Sequence, residues 1–249
     1  MTEIIRPSWP APAGVSACCT TRSGGVSLAP YDSFNLALHV GDDPKRVMQN
    51  RRILREKLAL PQEPGWINQT HGTRAIVLEQ DNGQDADAAI TRQPGRVAVV
   101  MTADCLPILL CDRRGSEVAA VHAGWRGLRS GVIQSALAAM QSDSRQLMAW
   151  VGPGISQACF EVGDEVRAEF IASDPAAAEY FQPHGPGHWL CDLAGLAQRV
   201  LKQQGVDPVF RDPHCSYRDA DLFYSYRRDG TTGRMAALIW IGESTDPQA

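Results

Sequence analysis

The chain has no excess of positive charge, no apolar run long enough to cross a bilayer, no paired-cysteine motif and few histidines. Each lack excludes something. Lys and Arg number 24 against 28 Asp and Glu, a net charge of −4, so no global basic field draws the protein to nucleic acid or anionic lipid. The most apolar stretch, Val97 to Cys111, is interrupted by Thr102, Asp104 and Pro107, and no membrane span or membrane partner is expected. The first residues, MTEIIRPSWPAPAG, offer neither a basic region nor an apolar segment after it. A cytoplasmic protein without a secretory signal is therefore expected.

The cysteines (Cys18, Cys19, Cys105, Cys111, Cys159, Cys191 and Cys215) are odd in number and form no CxxC pair. That argues against a disulfide framework, and all but Cys105 are expected to be mostly buried thiols that pack as small hydrophobes. There are six histidines (His39, His71, His122, His184, His188 and His214), with no HxH pair. A blue multicopper oxidase needs many more, largely in such pairs, so that class fails on ligand count.

What is present is ordinary globular composition, 44% hydrophobic and 21% charged in 249 residues, enough for one catalytic domain spanning 1–249. A strand is predicted from Val15 to Thr21, ending in the flexible Ser23-Gly24-Gly25. A helix capped by Asp42 or Asp43 follows, with Pro44 in its first turn and Val47, Leu54 and Leu58 on one face. Arg51, Arg52 and Arg55 fall on or beside its polar side, and Pro61 closes it. Arg74 to Leu78, Val97 to Met101 and Leu106 to Cys111 read as strands, the last two central. Arg113 to Ser116 turns into the strand Glu117 to Val121, and a helix is predicted from Ser130 to Met140. Further strands are Leu147 to Val151 and Met235 to Ile241; helices are Val162 to Ala172 and Leu193 to Gln204. Hairpins mixed with strand–helix steps predict an α+β fold of mixed β-sheets with covering helices, not a doubly wound parallel sheet.

Three segments place ligand-type side chains at strand ends: Asn68-Gln-Thr-His71-Gly72, Thr102-Ala-Asp-Cys105-Leu-Pro107 and Val121-His122-Ala-Gly-Trp-Arg-Gly127. Two imidazoles and a thiolate suit zinc, and three protein ligands leave a fourth position open for water, the pattern of a catalytic site. Asp104 would orient an imidazole or accept a proton. The same residues allow a second reading, in which Cys105 is a nucleophile, His122 its base and Asp104 the orienting group. The spacing decides nothing between them.

NQTHG, MTADCLPILLCDRRGSEVAAVHAGWRGL, FYSYRRDGTTGRM and TRSGGVS closely resemble the YfiH-like family, also called the polyphenol oxidase or laccase-domain family, from about Thr20 to Ile241. The resemblance implies an α+β fold and a zinc ion on His71, Cys105 and His122. It implies phosphorolysis of adenosine, inosine and methylthioadenosine and deamination of adenosine. Other activities attached to the family are copper-dependent polyphenol oxidation and amide hydrolysis in a peptidoglycan nucleotide precursor. The zinc-deaminase signature H-x-E with P-C-x-x-C is absent.

Phosphorolysis needs an anion site. Arg22 beside Ser23-Gly24-Gly25 is one candidate, Arg51 and Arg126 are others, and Asn35 and Gln69 are candidates for ribose or base. Tyr224, Tyr226, Arg227 and Arg228 read equally as edge packing or a solvated face. The expected partners are a purine nucleoside and phosphate, and the expected assembly is a monomer or homodimer. A zinc-held binding module is the non-enzymatic alternative.

Overall fold

A computed structural model describes residues 3–81 and 85–242. In chain order its elements are β1 (Ile4–Ile5), β2 (Val15–Thr20), α1 (Pro44–Lys57), β3 (Ala75–Val77), β4 (Ala88–Thr91), β5 (Val97–Thr102), β6 (Leu106–Asp112) and β7 (Val118–Ala123). Then come α2 (Trp125–Ser130), α3 (Val132–Ala139), β8 (Leu147–Val151), β9 (Glu161–Gly163), α4 (Asp164–Ser173), β10 (Phe181–Pro183) and β11 (His188–Cys191). The chain closes with α5 (Leu193–Gln203), β12 (Val209–Arg211), α6 (Tyr226–Asp229) and β13 (Met235–Ile241). Among the described residues no helix is long and apolar enough to cross a membrane.

Two sheets stack face to face. One runs β1-β2-β13-β5 and the other β12-β8-β6-β7-β4-β3, with the parallel pairs β3·β4 and β8·β12 among antiparallel ones, so the mixed α+β arrangement is observed. Alternate residues explain the stacking. In β6, Leu109 and Cys111 meet Ala237 and Ile239 of β13 between the sheets, while Ile108 and Leu110 pack under α3 and α5. On the far side, Leu54 of α1 covers Val97, Val99 and Leu238. Strands covered on both faces read as continuous apolar runs, which is why MAALIWI and VAVVMT show little alternation.

Several local expectations need correction. β5 is not central but ends its sheet, and it is apolar because both faces are covered. Its free edge is closed by a bridge from Gly65 to Ala98 and by the Gln69 side-chain amide, which accepts from Met101 N at 2.6 Å and donates to Met101 O at 2.7 Å. The helix expected from Ser130 starts earlier, at Trp125, and breaks into α2 and α3 at Gly131 (φ 100°). Of the two expected caps for α1, Asp43 is the one that serves, as its side chain accepts from Lys45 N. Arg51 does not lie on a polar face: it is buried, donates to Leu36 O and stacks 3.8 Å over the Trp66 ring.

Candidate functional site

One end of the six-stranded sheet gathers the three donors. Cys105 sits just before β6, His122 near the end of β7 opposite Pro107, and His71 in the loop that leads into β3. Their ligand atoms all lie within 4.8 Å of one another, the one such group among the described residues. Cys105 Sγ is 3.8 Å from His71 Nε2, and the two imidazoles meet edge to face with centroids 4.8 Å apart. A tetrahedral ion with bonds of about 2.0–2.3 Å sets its donors roughly 3.3–3.7 Å apart, so the group fits a metal with small adjustments. The two glycines of HAGWRG permit this approach. A Cβ on Gly124 would stand 2.9 Å from Cys105 Sγ, and one on Gly127 would stand 2.9 Å from Gly72 O.

The residue that holds the donors in place is Asp87, which the sequence reading missed. It precedes β4, whose pairing with β7 sets it beside His122, and it is wholly buried. His122 Nδ1 lies 2.8 Å from Asp87 Oδ1, which turns Nε2 toward the other donors. The same carboxylate accepts from Thr70 N, Thr70 Oγ1, His71 N and Gly72 N, fixing the loop that carries His71. The only sequence signal for it is an acid heading a run of small apolar residues, Asp87-Ala88-Ala89-Ile90.

Charge follows from this arrangement. Burial works against a charged imidazole, yet the Cys105 thiolate and the Asp87 hydrogen bond hold His122 up at about 9. Burial also opposes the thiolate, but His122 and His71 outweigh it and bring Cys105 down to about 6. Asp87 stays below the usual carboxylate range despite burial, because His122, Gly72 and Thr70 stabilise its charge. The Cys105 thiolate and the His122 imidazolium thus stabilise each other across the site, and a metal ion would take the place of the proton between them.

Asp104 does not orient an imidazole. Its Oδ1 accepts from Ser216 Oγ at 2.6 Å and its Oδ2 from Arg227 N at 2.7 Å, so it ties the C-terminal segment to the Cys105 loop. The donors open into a cavity of about 520 Å³ whose walls include Trp125, Phe160 and Tyr226 as well as Gln69, Asp104 and Arg126. Thr102 also borders it, but its Oγ1 is turned into the protein, buried and without a hydrogen-bond partner. Burial, then Arg234, Arg51 and His71, push His39, at the same cavity, below its usual range.

The other proposed binders lie elsewhere. Arg22 is outside this cavity, and its guanidinium donates to Asp32 O and Ala220 O and pairs with Asp32. The Gly24 and Gly25 amides next to it both donate to Ser33 Oγ. Asn35 is buried, bonded to Ala37 and Asp42, and accepts the Arg234 amide, so it supports a cavity residue from behind. Arg51 is also outside the cavity. FYSYRRDGTTGRM divides: Tyr224 is core, Arg228 is spent on the carbonyls of Ser216, Tyr217 and Phe223, and Tyr226, Arg227 and Arg234 face the cavity. Of the cysteines, Cys105 and Cys159 are partly exposed and the other five are buried.

A family described as "Multi-copper polyphenol oxidoreductase laccase" matches residues 16–242. The purine nucleoside phosphorylase YfiH of Escherichia coli is 47% identical over 243 residues, 97% of this chain and all of that one. A purine nucleoside phosphorylase of Pseudomonas aeruginosa is 46% identical over 97% of this chain and 99% of its own. The crystal structure of a Neisseria meningitidis protein, NMB0706, superposes with a TM-score of 0.93 at 46% identity, covering 96% of this chain and 99% of the other.

Proposed function

Since the chain belongs to the multi-copper polyphenol oxidoreductase laccase family, the YfiH-like proteins, we propose that it is a zinc-dependent purine nucleoside phosphorylase that also deaminates adenosine in the same cavity. The observation that carries this reading is the His71, Cys105 and His122 donor set in the wall of a cavity that also has aromatic and cationic walls. The donor set favours zinc, and six histidines are too few for a trinuclear copper cluster beside it. A bound zinc ion would supply Lewis acidity at its open position, toward a water or a substrate oxygen.

The chain's own residues supply the rest. Asp87 fixes the His122 tautomer and the His71 loop, so the donor geometry is set before substrate arrives. Trp125, Phe160 and Tyr226 offer faces and edges against which a purine packs. The aromatic walls would take adenosine, inosine and methylthioadenosine alike, because all three present a purine face.

Cys105, His122 and Asp87 also stand in nucleophile–base–orienter order, which favours a second reading as a cysteine-dependent amide hydrolase. Product analysis separates the two. Metal-replete protein given adenosine and phosphate should yield adenine, ribose 1-phosphate and inosine, with adenine release dependent on phosphate. Adenine without ribose 1-phosphate, or no turnover of any purine nucleoside, would rule the phosphorylase out.

A further inference from the structure

Arg126, Arg227 and Arg234 line the cavity, and none of them forms an ion pair among the described residues. Arg22, Arg92, Arg199, Arg211 and Arg228, by contrast, are each paired with a carboxylate. The donors of the three cavity arginines are also largely unspent. Arg227 Nη1 donates to Glu161 O at 2.9 Å, and Arg234 Nη1 donates to Thr232 O and Gly233 O. Nε and Nη2 of both side chains have no hydrogen-bond partner among the described residues. The Arg126 side chain makes no hydrogen bond there; its guanidinium rests 4.3 Å over the Trp125 ring.

The negative side of the ledger is short. Asp104 is the one carboxylate among the described cavity-lining residues, and both its oxygens already accept hydrogen bonds. One of these comes from the Arg227 amide, so the residue that anchors the Cys105 loop also aims Arg227. Asn35 does the same for Arg234 by accepting its amide. Two backbone anchors thus hold two guanidiniums at the wall shared with the three donors. Planar guanidiniums with free parallel donors match the oxygens of a phosphate group, and arginines without an ion-pair partner favour an anionic ligand.

We propose that Arg227 and Arg234, with Arg126, form a phosphate subsite of this cavity. Its place in phosphorolysis rests on the function proposed above; its existence does not. The phosphate is either the free inorganic ion or the monoester of a phosphorylated nucleoside, and both present the same oxygens.

Calorimetric titration of the zinc-loaded protein tests it, first with inorganic phosphate and then with adenosine 5′-monophosphate. Saturation by inorganic phosphate identifies the free ion as the ligand; saturation by the nucleotide alone assigns the subsite to a monoester. In either case Arg227→Gln and Arg234→Gln should each weaken binding roughly tenfold or more, with zinc content retained. Arg234→Lys, which keeps the charge, should lose less, and Arg22→Gln should bind as the parent does. Undiminished affinity in the Arg227→Gln, Arg234→Gln double variant overturns the proposal, as does failure of the parent to bind either ligand. Phosphate bound through these arginines without base release from inosine would remove the phosphorylase reading and leave the subsite standing. Phosphorolysis with an unchanged KM for phosphate in both single variants would do the reverse.

Discussion

The loop around His71 and the loop around Arg22 use similar materials and end in opposite states. Both leave or enter a strand, and both place a cationic or ligand-type side chain beside polar residues and glycine. Around His71, the hydrogen bonds converge on a carboxylate behind the loop. Asp87 takes the amides of residues 70, 71 and 72, and the imidazole stays available to the cavity. Around Arg22, the guanidinium and the loop amides are themselves the groups consumed, by Asp32 O, Ala220 O and Ser33 Oγ. A reactive group stays available when its support comes from other atoms, and it becomes structure when it supplies the support itself.

The largest effect should come from removing that support. Asp87→Asn puts an amide where five donors need an acceptor, and it breaks a buried charged pair with His122. A loss of about 3–5 kcal/mol of stability is expected, together with about 10- to 100-fold weaker metal binding. Asp104→Asn should cost about 1.5–3 kcal/mol and keep its metal, because its bonds go to Ser216 and Arg227 instead of to a donor. Denaturant melts and metal titration of the two variants read both quantities. Equal metal loss in the two would break the comparison.

A second test sharpens the contrast along one strand. Cys105 stands just before β6 and Cys111 near its far end. In metal-stripped protein, alkylation of Cys105 should rise as pH passes about 6, where its thiolate forms, and level off above. Burial holds Cys18 and Cys111 up at about 12, so both should stay unmodified across the neutral range. Zinc should protect Cys105 by occupying its sulfur. Fast labelling of Cys105 in the zinc-loaded protein, read by peptide mass spectrometry, would favour the nucleophile over the ligand.

The smallest effect belongs to Arg22→Ala. Its bonds are to carbonyls and to a half-exposed Asp32, so about 1–2 kcal/mol of stability should be lost. The dependence of turnover on phosphate should not change. A selective rise in the KM for phosphate would return Arg22 to the active site.

These contrasts mark how far the sequence could be read. His71, Cys105 and His122 were legible because ligand-type residues at strand ends, in family motifs, need no knowledge of pairing. The strands Leu147 to Val151 and Met235 to Ile241 were equally plain, being short apolar runs bounded by turn residues. Asp87 was not legible, since its role depends on β4 pairing with β7 in a register that places residue 87 beside residue 122. Nor were the fates of the arginines, which depend on partners far along the chain: Ala220 for Arg22, Glu161 for Arg227, Asn35 for the backbone of Arg234. The three-stranded sheet of β9, β11 and β10 escaped because its strands are short and carry no clear alternation.

X-ray absorption at the zinc edge of the purified protein tests the donor set most directly. The account predicts one sulfur at about 2.3 Å and two imidazole nitrogens at about 2.0–2.1 Å, with one lighter ligand completing the shell. The sulfur scattering should vanish in Cys105→Ser. A shell of nitrogen and oxygen alone, or a sulfur that survives that substitution, would contradict it.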